Sequence, residues 1–260
     1  MTLTSGTELI AVDVHDHVAT IRLNRPAKLN AVTQEMSADL VRIIHTINED
    51  PAIRALVYTG TGRAFCAGSD ITTLDEYATP WQFRNRHDYC DALRACRKPI
   101  IAAVNGYAFG GGLEAALTCD IRIAAESATF AAPEVTLGWI GGGGMSPLLA
   151  ASVGPGNAAL MLMTGDRIDA SQALAWGMVS QVLPADRLLE RAQELAAMIA
   201  ARPPIAVETA KANLRAAQNM PLDQAIGYER ELQAITFATD DAREGRAAFA
   251  EKRTGVFHGR

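Results

Sequence analysis

The stretch that most restricts the fold runs from Pro99 to Glu114, Pro-Ile-Ile-Ala-Ala-Val-Asn-Gly-Tyr-Ala-Phe-Gly-Gly-Gly-Leu-Glu. Its apolar run, Ile100 to Val104, predicts a buried strand, and Asn105-Gly106 breaks it. Gly110, Gly111 and Gly112 then open a helix that continues through Leu113-Glu114-Ala115-Ala116-Leu117. Without side chains, these glycines let a ligand approach their N–H groups. Those groups lie at a helix start, where donors are unsatisfied and the macrodipole favours negative charge. The stretch therefore predicts an anion site, or a site for an anion that forms during a reaction. Glu114, in the first helical turn, would repel a permanent anion. It would not repel a neutral carbonyl becoming an enolate beside an acid/base group.

On either side of this stretch, strand and helix signals alternate. His17–Asn24 reads as a strand turned by Arg25-Pro26. Thr33 caps a helix with Met36, Leu40, Ile43, Ile44 and Ile47 on one face, ended by Asp50-Pro51. Ala55–Thr59 is a second apolar strand, followed by Ala64 to Asp70, a short apolar piece ending in a tight turn. Residues 71–97 mix Tyr77, Trp81, Phe83 and Tyr89 with charges and read as a partly helical wall or lid. Ile121–Ala125 is another strand; the loop Ala132-Pro133-Glu134-Val135 and the glycine-rich run Gly138 to Gly144 follow, the latter read as a loose loop. Short helices at 157–163 and 171–176 stop at Gly177, and 178–183 reads as a strand. From Asp186 onward the pattern is helical only, punctuated by Pro203-Pro204, Pro221 and Asp240-Asp241. The expectation is an α/β protein with residues 1–190 as the core and 191–260 as a helical region.

Composition limits the partners. The formal net charge is −5, which argues against nucleic acid or an anionic membrane. No apolar run approaches the roughly 20 residues needed to span a bilayer. Met1 to Ile10 lacks a secretory or transit pattern, so a cytoplasmic protein is expected. Cys66, Cys90, Cys96 and Cys119 show no Cys-x-x-Cys spacing and read as buried thiols. His15 and His17 would share one face of a strand but lack a third ligand, so no metal site is expected.

Two turns look equivalent: Ala67-Gly68-Ser69-Asp70 after one strand, and Gly110-Gly111-Gly112 after another. If those strands are parallel neighbours, both turns lie at the carboxyl edge, where α/β proteins bind ligands. One N–H from each could then converge on a single oxygen. Glu114 and Glu134 supply two carboxylates able to hold a water and divide acid and base roles.

These residues resemble the enoyl-CoA hydratase/isomerase (crotonase) family. The likeness runs through Asn24-Arg25-Pro26…Leu29-Asn30-Ala31, Phe65-Cys66-Ala67-Gly68-Ser69-Asp70-Ile71, Lys98 to Gly112, Ala132-Pro133-Glu134…Leu137-Gly138 and Thr164-Gly165-Asp166, to Phe237–Arg253 at the C-terminus. The resemblance implies a spiral of ββα units, with C-terminal helices packing subunits into trimers or dimers of trimers. It implies an acyl-CoA thioester whose carbonyl oxygen takes the N–H groups of Ser69 and Gly111, with Glu114 and Glu134 binding the water. By the same resemblance, the substrate-binding set comprises Ala27, Lys28, Leu29, Ala67, Gly68, Asp70, Ile71, Tyr107, Gly110, Phe249 and Lys252. No cofactor is implied, because coenzyme A is part of the substrate.

One departure stands out. Many members of the family carry Pro-Gly-x-Gly-Gly-Thr-x-Arg-Leu where this chain has Gly141-Gly142-Gly143-Gly144-Met145-Ser146-Pro147-Leu148-Leu149. Trp139, Met145 and Leu148 make this loop more apolar, which bears on acyl specificity and is expected to leave the carboxylate pair untouched. Having both acids favours hydration over Δ3-Δ2 isomerisation, with a carnitinyl-CoA-type dehydratase also open. Rival readings are a dinucleotide fingerprint at Gly110-x-Gly112-x-x-Ala115, a nucleophilic Ser69, and a non-catalytic RNA-binding relative.

Overall fold

The computed structural model describes residues 5–260; residues 1–4, part of the stretch read for a targeting signal, lie outside the described residues. The strands are β1 (Ile10–His15), β2 (Val18–Leu23), β3 (Ala55–Gly60), β4 (Ala64–Cys66), β5 (Ile100–Val104), β6 (Tyr107–Phe109), β7 (Ile121–Ala125), β8 (Thr129–Ala131), β9 (Ile168–Asp169) and β10 (Gln181–Leu183). The larger sheet has the order β1-β2-β3-β5-β7-β10, parallel except for the β1–β2 hairpin. The smaller has the order β4-β6-β8-β9, with β4, β6 and β8 parallel. Each pair β3/β4, β5/β6 and β7/β8 gives its first strand to the large sheet and its second to the small one. A helical segment follows each pair, which makes the spiral of ββα units.

The helices are α1 (Gln34–Glu49), α2 (Pro80–Arg84), α3 (Tyr89–Ala95), α4 (Gly111–Thr118), α5 (Met145–Val153), α6 (Pro155–Thr164), α7 (Ala170–Ala175), α8 (Ala185–Ala200), α9 (Pro204–Ala217), α10 (Leu222–Phe237) and α11 (Asp240–Glu251). Thr33 caps α1 as expected, accepting from Met36 N.

The central strands of the large sheet are buried on both faces, so they read as continuous apolar runs. The period-two alternation sorts them between two cores. Leu56, Tyr58, Ile100, Ala102 and Val104 face α1 and α4; Ala55, Val57, Ile101, Ala103 and Ile123 face α8. Helix α8 presents Leu188, Ala192, Ala196 and Ala200 at every fourth position, and the small alanines let it lie close to the sheet. The boundary expected near residue 190 falls inside this helix.

Two expectations are corrected. His15 and His17 do not share a strand face: Asp16 and His17 form a turn at positive φ between β1 and β2. The run after Leu137 is no loose loop throughout, since Gly144 caps α5 and Met145 and Leu149 are buried. Pro147 fits there because a first-turn residue has no helical acceptor to lose.

Asn30 ties together the backbone at Arg25, Thr61 and Ala64. It is fully buried at φ 57°. Its Oδ1 accepts from Arg25 N (2.9 Å), and its Nδ2 donates to Thr61 O (2.9 Å) and Ala64 O (2.7 Å). Asn30→Ala strands Arg25 N and Thr61 O, worth about 1–3 kcal/mol each, while Ala64 O keeps Asn105 Nδ2 (3.1 Å), so its urea midpoint is expected to fall by the equivalent of about 3 kcal/mol.

Candidate active site

The two expected turns follow β4 and β6, parallel neighbours in the small sheet. The first turn is fixed from outside. Val32 N donates to Gly68 O (2.8 Å), Asp70 N donates to Val32 O (2.9 Å), and Ala67 N donates to Leu29 O (3.0 Å). Asp70 is buried; its carboxylate pairs with Arg25 (2.7 Å) and caps the following turn through Thr72 N. The second turn places Gly110 at φ 55°, ψ −129°, a region only glycine tolerates. Gly110 N donates to Ala131 O (3.0 Å), and α4 starts at Gly111.

The turns touch. A Cβ on Gly68 would lie 3.0 Å from Gly111 N, and one on Gly112 would overlap the Cys66 carbonyl. Among the described residues, neither Ser69 N–H nor Gly111 N–H has an acceptor. Both residues line one cleft, together with Glu114 and Glu134.

The carboxylates sit in unlike surroundings. Glu114, 6% exposed on α4, accepts through Oε1 from Gly143 N (2.8 Å) and Met145 N (3.1 Å). Burial holds its carboxyl above the usual range, while those two N–H groups pull it back. The glycine run therefore does touch the carboxylate pair, contrary to expectation. A Cβ on Gly141 or Gly143 would come within 2.7 or 2.8 Å of Glu114 oxygens. Glu134 lies in the 3-10 turn Pro133–Leu137, with its Oε1 2.9 Å from where a Gly110 Cβ would be. Its Oε2 is buried without a hydrogen-bond partner. Burial raises its pKa, opposed by its own N–H and reinforced by the Glu114 charge.

A carboxyl raised in the fold holds its proton more tightly there than in the unfolded chain. Stability is then fullest below the unfolded pKa and falls as pH rises through the folded value. Relative to wild type, Glu134→Gln is therefore expected to gain thermal stability between pH 4 and pH 8. A melting series in which the gap stays constant would contradict this.

Of the sequence-predicted residues, Ala67, Gly68, Ser69, Ile71, Gly110, Gly111, Glu114 and Glu134 line the cleft. Ala27, Lys28 and Leu29 form an adjoining turn, joined to the site by the Leu29–Ala67 hydrogen bond. Asp70 is buried behind its turn. Tyr107 lies outside the cleft lining: β6 turns Ala108 into the core, while the Tyr107 ring stacks on Phe109 at 5.2 Å. Phe249 and Lys252, at the exposed end of α11, also lie outside it. Met145 and Leu148 do not reach the cleft, whereas Trp139 does. Phe83 lines it as a member of the segment 71–97 read as a wall or lid, while Arg86 and Ile140 line it without having been named. That segment was the one hint of Arg86. The four cysteines are buried, and burial pushes the Cys66 thiol up to about 12. No group of three or more His, Cys, Asp or Glu among the described residues is arranged to hold a metal ion. No helix among them is long and apolar enough to cross a membrane.

Residues 13–260 match the enoyl-CoA hydratase/isomerase family model. The mitochondrial enoyl-CoA hydratase of Pongo abelii is 42% identical over 241 residues, 92% of this chain and 83% of that protein. The 2,3-dehydroadipyl-CoA hydratase of Escherichia coli (strain K12) is 41% identical over 97% of this chain and 99% of its own. The crystal structure of enoyl-CoA hydratase from Bacillus anthracis superposes with a TM-score of 0.90 at 36% identity, covering 97% of this chain and 100% of that one.

Proposed function

Because this chain belongs to the enoyl-CoA hydratase/isomerase family, we infer that it adds water reversibly to the double bond of a 2-enoyl-CoA thioester. The observation that carries the reading is a single cleft holding two acceptor-free N–H groups, from Ser69 and Gly111, beside two buried carboxylates. The thioester oxygen lies between the two N–H groups, one of them at the N-terminus of α4. Attack by water at C3 forms the new C–O bond and moves the π electrons toward that oxygen. The two donors and the helix dipole stabilise the developing enolate.

The carboxylates divide the proton work through their surroundings. Glu114, held by two N–H donors, is the better carboxylate and takes the proton of the attacking water. Glu134, with an unpartnered oxygen and a charged neighbour, is the better acid and delivers a proton to C2. Exchange through the next water restores the pair. The electron sink is the thioester itself, so coenzyme A enters as part of the substrate and no resident cofactor is needed.

Lys28 is exposed beside the site and suits a nucleotide phosphate. Phe249 and Lys252 complete the coenzyme A contacts when subunits associate. Exposed Leu214, Ile235 and Phe237 on α9 and α10 supply apolar surface for a homotrimer or a dimer of trimers. The protein works in the cytoplasm in this reading.

A panel of trans-2-enoyl-CoA and 3-enoyl-CoA thioesters tests the assignment. The 2-enoyl esters are expected to lose their conjugated absorbance. Turnover of 3-enoyl esters alone would make the enzyme an isomerase, and turnover of none would overturn the reading.

A further inference from the structure

Among the described residues, Arg86 is the one cationic side chain lining the cleft, and it stands beside Gly142, whose neighbours Gly141 and Gly143 enclose the Glu114 carboxylate. A Cβ on Gly142 would lie 3.9 Å from Arg86 Nη2. Arg86 is held in place rather than waving in solvent. Its Nη1 donates to Phe83 O (2.9 Å) and its Nη2 to Asp88 Oδ2 (2.8 Å), and its guanidinium carbon sits 4.4 Å from the centre of the Phe83 ring. Asp88 is fixed in turn as the cap of α3, accepting from Cys90 N (2.9 Å). A guanidinium has five N–H groups. Three of those on Arg86 have no acceptor among the described residues.

Around it the cleft is apolar, with Leu74, Phe83, Trp139 and Ile140. A hydrocarbon tail laid across those N–H groups would remove their water and return no acceptor. A carboxylate would accept two of them in the planar fork that matches its own geometry. We propose that Arg86 is a specificity-determining residue that receives a carboxylate at the far end of the acyl group. The substrates would then be enoyl-CoA thioesters of dicarboxylic acids. This rests on the hydratase reading of the cleft and names the substrate class for it.

The test measures kcat/KM for matched pairs of trans-2-enoyl-CoA esters of equal chain length, one ending in methyl and one in carboxylate, at four, six and eight acyl carbons. The wild-type protein is expected to favour the carboxylate ester by about 10-fold or more at one length. Arg86→Gln is expected to cut that ratio by about 10- to 100-fold, mainly through KM for the carboxylate ester. Asp88→Asn keeps a capping side chain but removes the competing charge, so it is expected to raise the ratio. Equal or inverted preference at every length in wild type would overturn the proposal. So would an Arg86→Gln effect of equal size on both esters, which would mark a coenzyme A contact or a purely structural role. An unchanged ratio in Asp88→Asn would overturn it as well. Loss of turnover on both esters in wild type would instead strike the hydratase reading, and this proposal with it.

Discussion

Glu134→Gln is expected to lower kcat on a 2-enoyl-CoA ester by about 10²–10⁴ while KM stays within a few-fold, and Glu114→Gln to do the same. Glutamine keeps the shape of each side chain but can neither deliver nor take a proton at the reacting carbons. Its amide oxygen at position 114 can still accept from Gly143 N and Met145 N, so the loop stays in place. The two variants should differ in pH dependence. The Glu114 charge contributes to holding the Glu134 carboxyl above its usual range. Removing it lets Glu134 lose its proton at lower pH, so the residual activity of Glu114→Gln should move its limb toward acid. Wild-type turnover in either variant would contradict that residue's role.

The second large effect lies at the turn proposed to hold the oxyanion. A Cβ on Gly111 would overlap the Tyr89 hydroxyl. Tyr89 is buried and its Oη has no hydrogen-bond partner, so the ring fills space behind the turn without a polar anchor. Gly111→Ala must displace α4 and its first N–H from their position at the cleft. Losing one oxyanion donor costs on the order of 3 kcal/mol in the barrier, so kcat/KM is expected to fall by about 10²–10³. Tyr89→Phe removes the oxygen and leaves the nearest ring carbon, Cζ, 3.4 Å from the added Cβ, an ordinary contact. Alone it should be neutral or slightly stabilising, since it deletes an unpaired buried hydroxyl. Combined with Gly111→Ala it should recover much of the lost activity, a non-additivity expected of touching residues. Strict additivity would show that the turn is displaced by something other than Tyr89.

The parts of the fold legible in the sequence are those whose own residues decide their state. Ile100–Val104 and Ala55–Thr59 are buried on both faces and read as apolar runs; α1 and α8 show their helical stripe. The three-residue strands β4, β6 and β8 are too short for any period, and only their mutual pairing makes them strands. The start of α5 was hidden because Gly141–Gly144 looks like slack. In the fold those glycines are small so that the Glu114 carboxylate fits against them. That contact joins residues 29 and 31 positions apart, which no local pattern reveals. Arg86 was one charge in a mixed segment until the fold turned it into the cleft.

The central claim is that Ser69 and Gly111 grip one thioester oxygen between Glu114 and Glu134. A crystal structure with butanoyl-CoA, which binds as a thioester but has no double bond to hydrate, tests it most directly. The account predicts the carbonyl oxygen about 2.7–3.1 Å from both Ser69 N and Gly111 N, with C2 and C3 facing the two carboxylates. A thioester oxygen bound away from either N–H would contradict it.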